Sequence, residues 1–370
     1  MEIPKCGSPL RIALLGARGI PSQYGGFETF SEELSVRLVE RGHQVTVYCR
    51  ERYPQDFYRG VRLVYLPTIR HKYFDTVAHS FLSTLHLLLH RSDVALYMNA
   101  ANAIFTLLPR LVAIPVALNV DGIERERKKW NLLARAWYLI GEKLATLFPS
   151  VVVADAVTIQ NYYLSEYKKL TTFIPYGADA ELAATTLELE RLGLEKYRYF
   201  LYVSRLEPEN HALQVRQAFE KVPTDLRLAL VGDAPYATGY IQEVRNTQDP
   251  RVILPGAIYG QGYKELGTWC FAYIQATEVG GTHPALIEAM GRGALVIYRN
   301  VPENAEVCGD AGLPFDDDAG LVAAIRKTLA MSETERHEYR SRARQRVLER
   351  YCWDAVTTQY EQLFLSIKPV

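Results

Sequence analysis

The chain has 370 residues, of which 48% are hydrophobic, and carries 42 basic and 42 acidic side chains. This length exceeds one typical core and predicts two domains, while the hydrophobic content excludes wholesale disorder. A net charge of zero excludes a nucleic-acid partner bound by bulk electrostatics. The five cysteines are scattered and odd in number, which argues against a disulfide framework or a zinc site and favours a reducing compartment.

The first ten residues contain no apolar signal core, and no apolar run reaches the roughly 18 residues needed to span a bilayer. We therefore expect a cytoplasmic protein. Peripheral contact with the cytoplasmic face of the inner membrane is compatible with this expectation.

The chain opens with the pattern of a parallel doubly wound sheet. A buried strand over residues 11–16 is followed by a glycine-rich loop, a helix over 28–41 and a strand over 44–49. The loop lacks the G-x-G-x-x-G pattern, so a dinucleotide site loses its main support. Gly25 and Gly26 in this loop predict either a tight turn or close approach of the backbone to a ligand.

Further strands are predicted over 61–66, 94–98 and 115–120. The last of these leads into Asp121, at a strand end where binding and catalytic groups gather in such sheets. A plain Asp-Gly turn is the competing interpretation.

A mixed basic and aromatic segment precedes and enters a helix predicted over 132–148. Such a face suits anionic lipid, but Glu124, Glu126 and Glu142 dilute it, so a solvated helix face is the competing interpretation. The basic and aromatic residues are Arg125, Arg127, Lys128, Lys129, Trp130, Arg135 and Trp137.

The α/β alternation starts afresh at about residue 199, with strands predicted over 199–204, 226–232, 252–254 and 271–275. We place one domain at residues 1–180 and the other at 181–351. The helical tail, 352–370, is expected to pack back on the first domain.

Three strand-end loops of the second half carry groups suited to a phosphate ligand, and such loops meet at one sheet edge. Arg205 suits a diphosphate, with a surface salt bridge to Glu207 or Glu209 as the alternative. Gly232 and Asp233 follow the next strand. The third loop, 280–283, opens a helix whose start attracts anions, although an ordinary loop–helix joint would show the same pattern.

Several motifs resemble those of retaining glycosyltransferases of family 4, and more narrowly those of the bacterial rhamnosyltransferase-like subgroup. They cover nearly the whole chain, and the first is the most specific to the subgroup. The motifs are GARGIPSQYGGFET at 16–29, VDGIE at 120–124, IPYGAD at 174–179, RLEPEN at 205–210, GDAPY at 232–236 and GGTHPALIEAM at 280–290.

This resemblance implies a GT-B fold, with two Rossmann-like doubly wound domains facing a central cleft. It implies a hexosyltransferase-type enzyme that moves a sugar from an NDP-sugar, with dTDP-rhamnose as the first expectation, to a glycan or lipid-linked oligosaccharide in cell-surface glycan synthesis. Arg205 matches the diphosphate-binding arginine and Glu288 the ribose-binding glutamate. The family's first glutamate falls on Gly280 and its usual lysine on Asn210, while Glu278 lies nearby but out of register.

We accordingly expect Asp121, Arg205 and Glu288 to serve catalysis, with Asp121 orienting the acceptor hydroxyl. No metal and no cofactor are expected. A sugar-nucleotide 2-epimerase and a non-catalytic nucleotide-sugar-binding protein remain alternatives. The expected donor-binding residues are Gly25, Gly26, Arg205, Gly232, Asp233, Gly280, Gly281, Thr282, His283 and Glu288.

Overall fold

A computed structural model describes residues 8–22, 25–69, 71, 74–127, 130–234 and 237–368. The chain divides into two compact units. Unit 1 comprises Met1–Tyr176 with Trp353–Val370, and unit 2 comprises Gly177–Cys352.

Unit 1 is built on an eight-stranded sheet in the order β3-β4-β2-β1-β5-β6-β7-β8. All neighbouring pairs are parallel except β3 and β4. The strands are β1 Arg11–Leu15, β2 Gln44–Cys49, β3 Phe57–Tyr58, β4 Val61–Tyr65, β5 Val94–Met98, β6 Val116–Asn119, β7 Val151–Ala154 and β8 Thr172–Phe173.

Among the described residues of unit 1, five helices precede the boundary with unit 2. They are α1 Gly26–Glu40, α2 Asp75–Leu89, α3 Leu107–Leu111, α4 Leu132–Ala145 and α5 Val157–Tyr167. Two 3₁₀ segments, Ala100–Thr106 and Glu124–Glu126, lead into α3 and follow β6.

Unit 2 is built on a six-stranded parallel sheet in the order β11-β10-β9-β12-β13-β14. Its strands are β9 Tyr199–Val203, β10 Arg227–Val231, β11 Val252–Gly256, β12 Ala272–Gln275, β13 Val296–Arg299 and β14 Gly312–Phe315. Its helices are α6 Leu187–Leu192, α7 Ala212–Glu220, α8 Thr238–Arg245, α9 Gly260–Trp269, α10 Pro284–Gly291, α11 Pro302–Cys308, α12 Asp318–Ala330 and α13 Glu333–Arg350.

The last helix, α14 (Trp353–Ile367), belongs to unit 1. Its Tyr360 ring lies 5.3 Å from the ring of Phe30 on α1, and the Tyr360 hydroxyl accepts a hydrogen bond of 3.0 Å from Asn119 Nδ2. The neighbouring Glu361 bonds Arg41 and His43 at the end of α1. These contacts give α14 both an apolar and a polar attachment to unit 1.

The strands read as continuous apolar runs because parallel sheets are covered on both faces. In unit 1 all five residues of β5 are buried, and in unit 2 all four residues of β12 are buried. The predicted fold class, two α/β Rossmann-like sheets, is therefore confirmed. Between residues 180 and 197, where unit 2 begins, the structure contains only the short helix α6.

Three cysteines, Cys49, Cys270 and Cys308, are buried and free, as expected for small apolar side chains. Burial raises the thiol pKa of Cys49 to about 11 and that of Cys270 to about 12, which leaves both unreactive at neutral pH. Cys352 is partly exposed, and Cys6 lies outside the described residues.

Candidate functional site

The three predicted loops of unit 2 follow neighbouring strands, because β10, β9 and β12 are adjacent and parallel. Leu206 N–H donates to the carbonyl of Asp233 at 3.4 Å, and Glu278 N–H donates to the carbonyl of Glu209 at 3.2 Å. The structure thus joins the β9 loop to the loops on both sides, at the carboxyl edge where ligands bind in open α/β sheets.

Arg205 lies in the first of these loops with about a third of its side chain exposed. The guanidinium Nη2 is 3.9 Å from Glu207 Oε2, a loose ion pair beyond hydrogen-bonding distance. Asn210 stands where the resemblance expects a lysine, and its Nδ2 donates to the Arg205 carbonyl at 2.7 Å. Asn210 therefore braces the arginine loop without supplying a second cation.

Gly232 occupies a position that no other residue would fit. Its φ is +149°, and a Cβ built there would lie 1.8 Å from the carbonyl oxygen of Ser204. The next residue, Asp233, is exposed, and its Oδ1 accepts a hydrogen bond from Ala234 N–H at 2.8 Å. The glycine thus permits close approach of the β9 and β10 loops.

The third loop leads into α10, which begins at Pro284. Gly281 and Thr282 are buried, and the imidazole of His283 lies over Gly280, with Cε1 2.6 Å from where a Cβ at 280 would stand. Glu278, the out-of-register carboxylate, pairs through Oε2 with His211 Nε2 at 2.8 Å.

Glu288 lies on the second turn of α10 with its carboxylate mostly buried. Arg292 is one turn further, with Nη2 3.7 Å from Glu288 Oε2, and its guanidinium packs over the ring of Tyr263 at 4.6 Å. Tyr263 is partly buried, and its removal from water, together with the nearby negative charge of Glu288, raises its pKa. The sequence did not point to Tyr263, because it lies on α9, 25 positions before Glu288.

In unit 1, the loop before α1 is fastened to that helix by two carboxylates. Arg18 N–H donates to Glu28 Oε1 at 2.8 Å, and Ser22 N–H donates to Glu32 Oε2 at 2.6 Å. Gly25 precedes the first helical residue, Gly26. The two glycines therefore form the entry to a helix on a held loop, an arrangement compatible with either a turn or a ligand contact.

Asp121 follows β6 in unit 1 with a φ of +52°, and its N–H donates to Asn119 Oδ1 at 3.0 Å. This backbone conformation fits the Asp-Gly turn considered above. Burial, reinforced by the nearby negative charge of Glu124, raises the Asp121 pKa to about 6 despite a hydrogen bond with Asp155. Its carboxyl therefore titrates near physiological pH, a property common at functional sites.

In the basic and aromatic segment of unit 1, two arginines form ion pairs with acidic residues of the same unit. Arg125 Nε bonds Glu142 at 3.2 Å, and Arg127 Nε bonds Glu124 at 2.6 Å, so the acidic residues neutralise these two arginines locally. Arg135 is exposed, Trp130 and Trp137 are partly buried, and Lys128 and Lys129 lie outside the described residues.

No group of three or more His, Cys, Asp or Glu side chains is arranged for metal binding within the described ranges. Over the same part of the chain, no helix is long and apolar enough to cross a bilayer.

Two family models match the chain. "Glycosyl transferase 4-like domain" matches residues 25–210, just over half of the chain, and "Glycosyl transferases group 1" matches residues 197–331. A search of curated proteins found no match.

Solved structures share the fold over nearly the whole chain. Sucrose-phosphate synthase from Thermosynechococcus elongatus has a TM-score of 0.78 at 19% identity, covering 96% of this chain and 98% of its own. HepE from Anabaena, in complex with UDP-glucose, has a TM-score of 0.79 at 17% identity, covering 96% and 100%. A glycosyltransferase from Rickettsia africae ESF-5 has a TM-score of 0.75 at 15% identity, covering 98% and 99%.

Proposed function

The chain belongs to the glycosyl transferase 4-like family and is a glycosyltransferase, and from this premise we propose that unit 2 binds an NDP-sugar donor. The proposed reaction retains the anomeric configuration and delivers the sugar to a glycan or lipid-linked oligosaccharide. dTDP-L-rhamnose is the first donor to test, on the strength of the subgroup resemblance.

The observation that supports this proposal is the meeting of the Arg205 loop with the loops after β10 and β12 at one sheet edge. A guanidinium and the start of a helix both favour phosphate oxygens. Glu288, which lies beside Arg292 and near Tyr263, offers a carboxylate to a ribose hydroxyl. Together these groups match the two polar parts of a nucleoside diphosphate.

Sugar transfer requires stabilisation of the negative charge that develops on the leaving diphosphate. We assign this task to Arg205 and to the backbone N–H groups of Gly281 to His283, because preorganised donors stabilise developing charge strongly. No metal is needed in this proposal. Activity is expected to survive EDTA, and strict dependence on added Mn²⁺ would overturn this part.

The acceptor is assigned to unit 1, where Asp121 would orient the attacking hydroxyl. A lipid-linked acceptor would place the enzyme at the cytoplasmic face of the inner membrane as a peripheral protein. The exposed basic side chain of Arg135 is compatible with that location.

Thermal unfolding against a panel of NDP-sugars tests donor binding, because a ligand that binds only the folded state raises its melting temperature. We expect stabilisation by one nucleotide class and its loss in Arg205→Ala and in Glu288→Gln. Arg326→Ala, an exposed arginine on α12, is the matched control and should keep the response. Absence of any response in the folded wild-type protein would contradict the proposal.

Product analysis separates the alternatives. Incubation with donor alone that yields an epimerised nucleotide sugar would identify an epimerase, whereas transfer only in the presence of acceptor supports the proposed reaction. Donor binding with neither hydrolysis nor transfer, across acceptors that include polyprenyl-linked glycans, would identify a non-catalytic binding protein.

A further inference from the structure

Helix α2 in unit 1 buries most of its polar side chains and exposes several large apolar ones. It buries His79, Ser80, Ser83 and Thr84 completely, together with Leu87, while Phe81, Leu85 and Leu89 are 45%, 39% and 81% exposed. An amphipathic helix normally buries its apolar stripe. The buried hydroxyl of Thr84 bonds the hydroxyl of Tyr97 on β5 at 2.8 Å, so the polar face is fixed inward.

Helix α4 exposes apolar side chains as well. Leu132 and Leu133 are each 82% exposed and Ile140 is 50% exposed, whereas Gly141, Glu142 and Ala145 on the opposite side are buried. Ala136 and Leu139 continue the exposed side at helical spacing. The outward surface of this helix is therefore mainly hydrocarbon.

The segment 100–111 contacts both helices. It packs against both α2 and α4, and Phe105 lies 6.2 Å from the exposed Phe81 ring. Its own Ile104 and Leu111 are also exposed. We call the exposed sides of α2, of this segment and of α4 the apolar face. Exposed apolar side chains gathered on packed neighbouring elements are typical of an interaction site.

Charges on the apolar face have one sign. The exposed charged residues on these elements are Arg110, Arg135 and Lys143. Their two acidic residues are withdrawn into ion pairs, Asp75 with Arg50 at 3.0 Å and Glu142 with Arg125 at 3.2 Å. Every residue of α2, of 100–111 and of α4 is described, so this count is complete for the face.

We propose that the apolar face docks on an anionic lipid bilayer, with the leucines of α2 and α4 in the interface and the cations against lipid headgroups. Amphipathic helices bind such surfaces through buried apolar area and attraction to anionic lipid. A symmetric contact between two copies would instead bring cations of the same face towards one another, which is unfavourable. This inference rests on the proposed function, because a lipid-linked acceptor would be the reason for the protein to bind a membrane.

Sedimentation of the full chain with vesicles tests the proposal. We expect binding to phosphatidylglycerol–phosphatidylcholine vesicles that weakens with salt, and little binding to phosphatidylcholine alone. Leu132→Ser with Leu139→Ser should lower the partition coefficient by about tenfold or more, since each buried methylene contributes to insertion. Leu187→Ser with Leu348→Ser, two exposed leucines of unit 2, is the matched control and should bind like wild type.

Three outcomes would overturn the docking proposal: no binding of wild type to anionic vesicles, equal loss in both double variants, or a wild-type dimer that only the α4 variant dissociates. The last outcome would identify a second copy as the occupant. The NDP-sugar melting shift, measured without vesicles, is expected to be unchanged in Leu132→Ser with Leu139→Ser. Vesicle binding without any melting shift would therefore refute the proposed donor and leave the docking surface intact.

Discussion

A Cβ built on Gly280 would stand 2.6 Å from Cε1 of His283, so the imidazole fills the space that any side chain at position 280 would need. The resemblance expects a carboxylate at 280, and the glycine found there is therefore paired sterically with the histidine three positions later. We infer that these two positions act together, with the ring of His283 replacing the missing side chain in shaping the start of α10.

Gly280→Ala is predicted to weaken donor binding, because the added methyl group must displace the His283 ring. His283→Ala with Gly280→Ala should recover part of the loss, since the second change removes the clash. The measurement is the melting shift with the donor found by the panel. Gly239→Ala, on α8, is the control, because a Cβ there meets nothing within 4 Å. The pairing would be contradicted if the double variant lost more of the donor-induced melting shift than the two single variants lose together.

Arg205→Ala is predicted to lower donor affinity by about ten- to a hundredfold, the value of a charge-assisted hydrogen bond of roughly 1.5–3 kcal/mol. Glu207→Gln tests the ion pair separately, because Glu207 Oε2 is 3.9 Å from the Arg205 guanidinium and competes with phosphate for it. Donor affinity in Glu207→Gln should equal or exceed that of wild type in titration calorimetry. A loss as large as that in Arg205→Ala would mean that the ion pair, not the free guanidinium, holds the loop.

The strands and the unit 2 loops could be predicted because they depend on local sequence. Parallel strands are apolar on both faces, and strand-end loops share an edge once the strands are neighbours. The position of Tyr263 near Glu288 could not be predicted in this way, since it depends on how α9 packs beside α10. The orientation of α2 was equally hidden: periodicity predicts an apolar stripe facing inward, whereas Tyr97 on β5 binds the hydroxyl of Thr84 and fixes the polar side there.

Glu361→Gln is predicted to destabilise unit 1 at pH 7 by about 1–3 kcal/mol, because Glu361 accepts bonds from Arg41 at 2.8 Å and interacts with His43 at 2.9 Å. Burial alone would raise the Glu361 pKa, but the bonds from His43 and Arg41 lower it below its ordinary value of 4.5. A lowered carboxyl pKa gives stability that is present above the unfolded pKa and is lost as pH falls through the folded one. Denaturant unfolding of both proteins should therefore converge as the pH drops below about 4; a constant difference down to pH 3 would contradict this.

Asp121→Asn is predicted to stabilise unit 1 increasingly as the pH rises from 4 to 7. The Asp121 pKa is raised from 3.8 to about 6, first by burial and then by Glu124. A raised carboxyl pKa means that the folded state holds its proton more tightly than the unfolded state, so the stability of wild type falls as pH rises through that window. The difference in unfolding free energy between the two proteins should be largest near pH 7, where the Asp121 carboxyl of wild type is ionised in both states.

Asp93→Asn is a control for the Asp121 experiment, because its effect on stability at neutral pH should have the opposite sign. Burial is the largest single influence on the Asp93 pKa and raises it, but the hydrogen bonds and the charge of Arg11 together outweigh burial and lower that pKa. Losing the Asp93 carboxylate should therefore cost stability at neutral pH, where losing that of Asp121 gains it. If Asp121→Asn is also less active in sugar transfer while more stable, the carboxylate is retained for its chemistry at the expense of the fold, as expected of a functional group. A variant that is both more stable and fully active would show that Asp121 only makes the turn after β6.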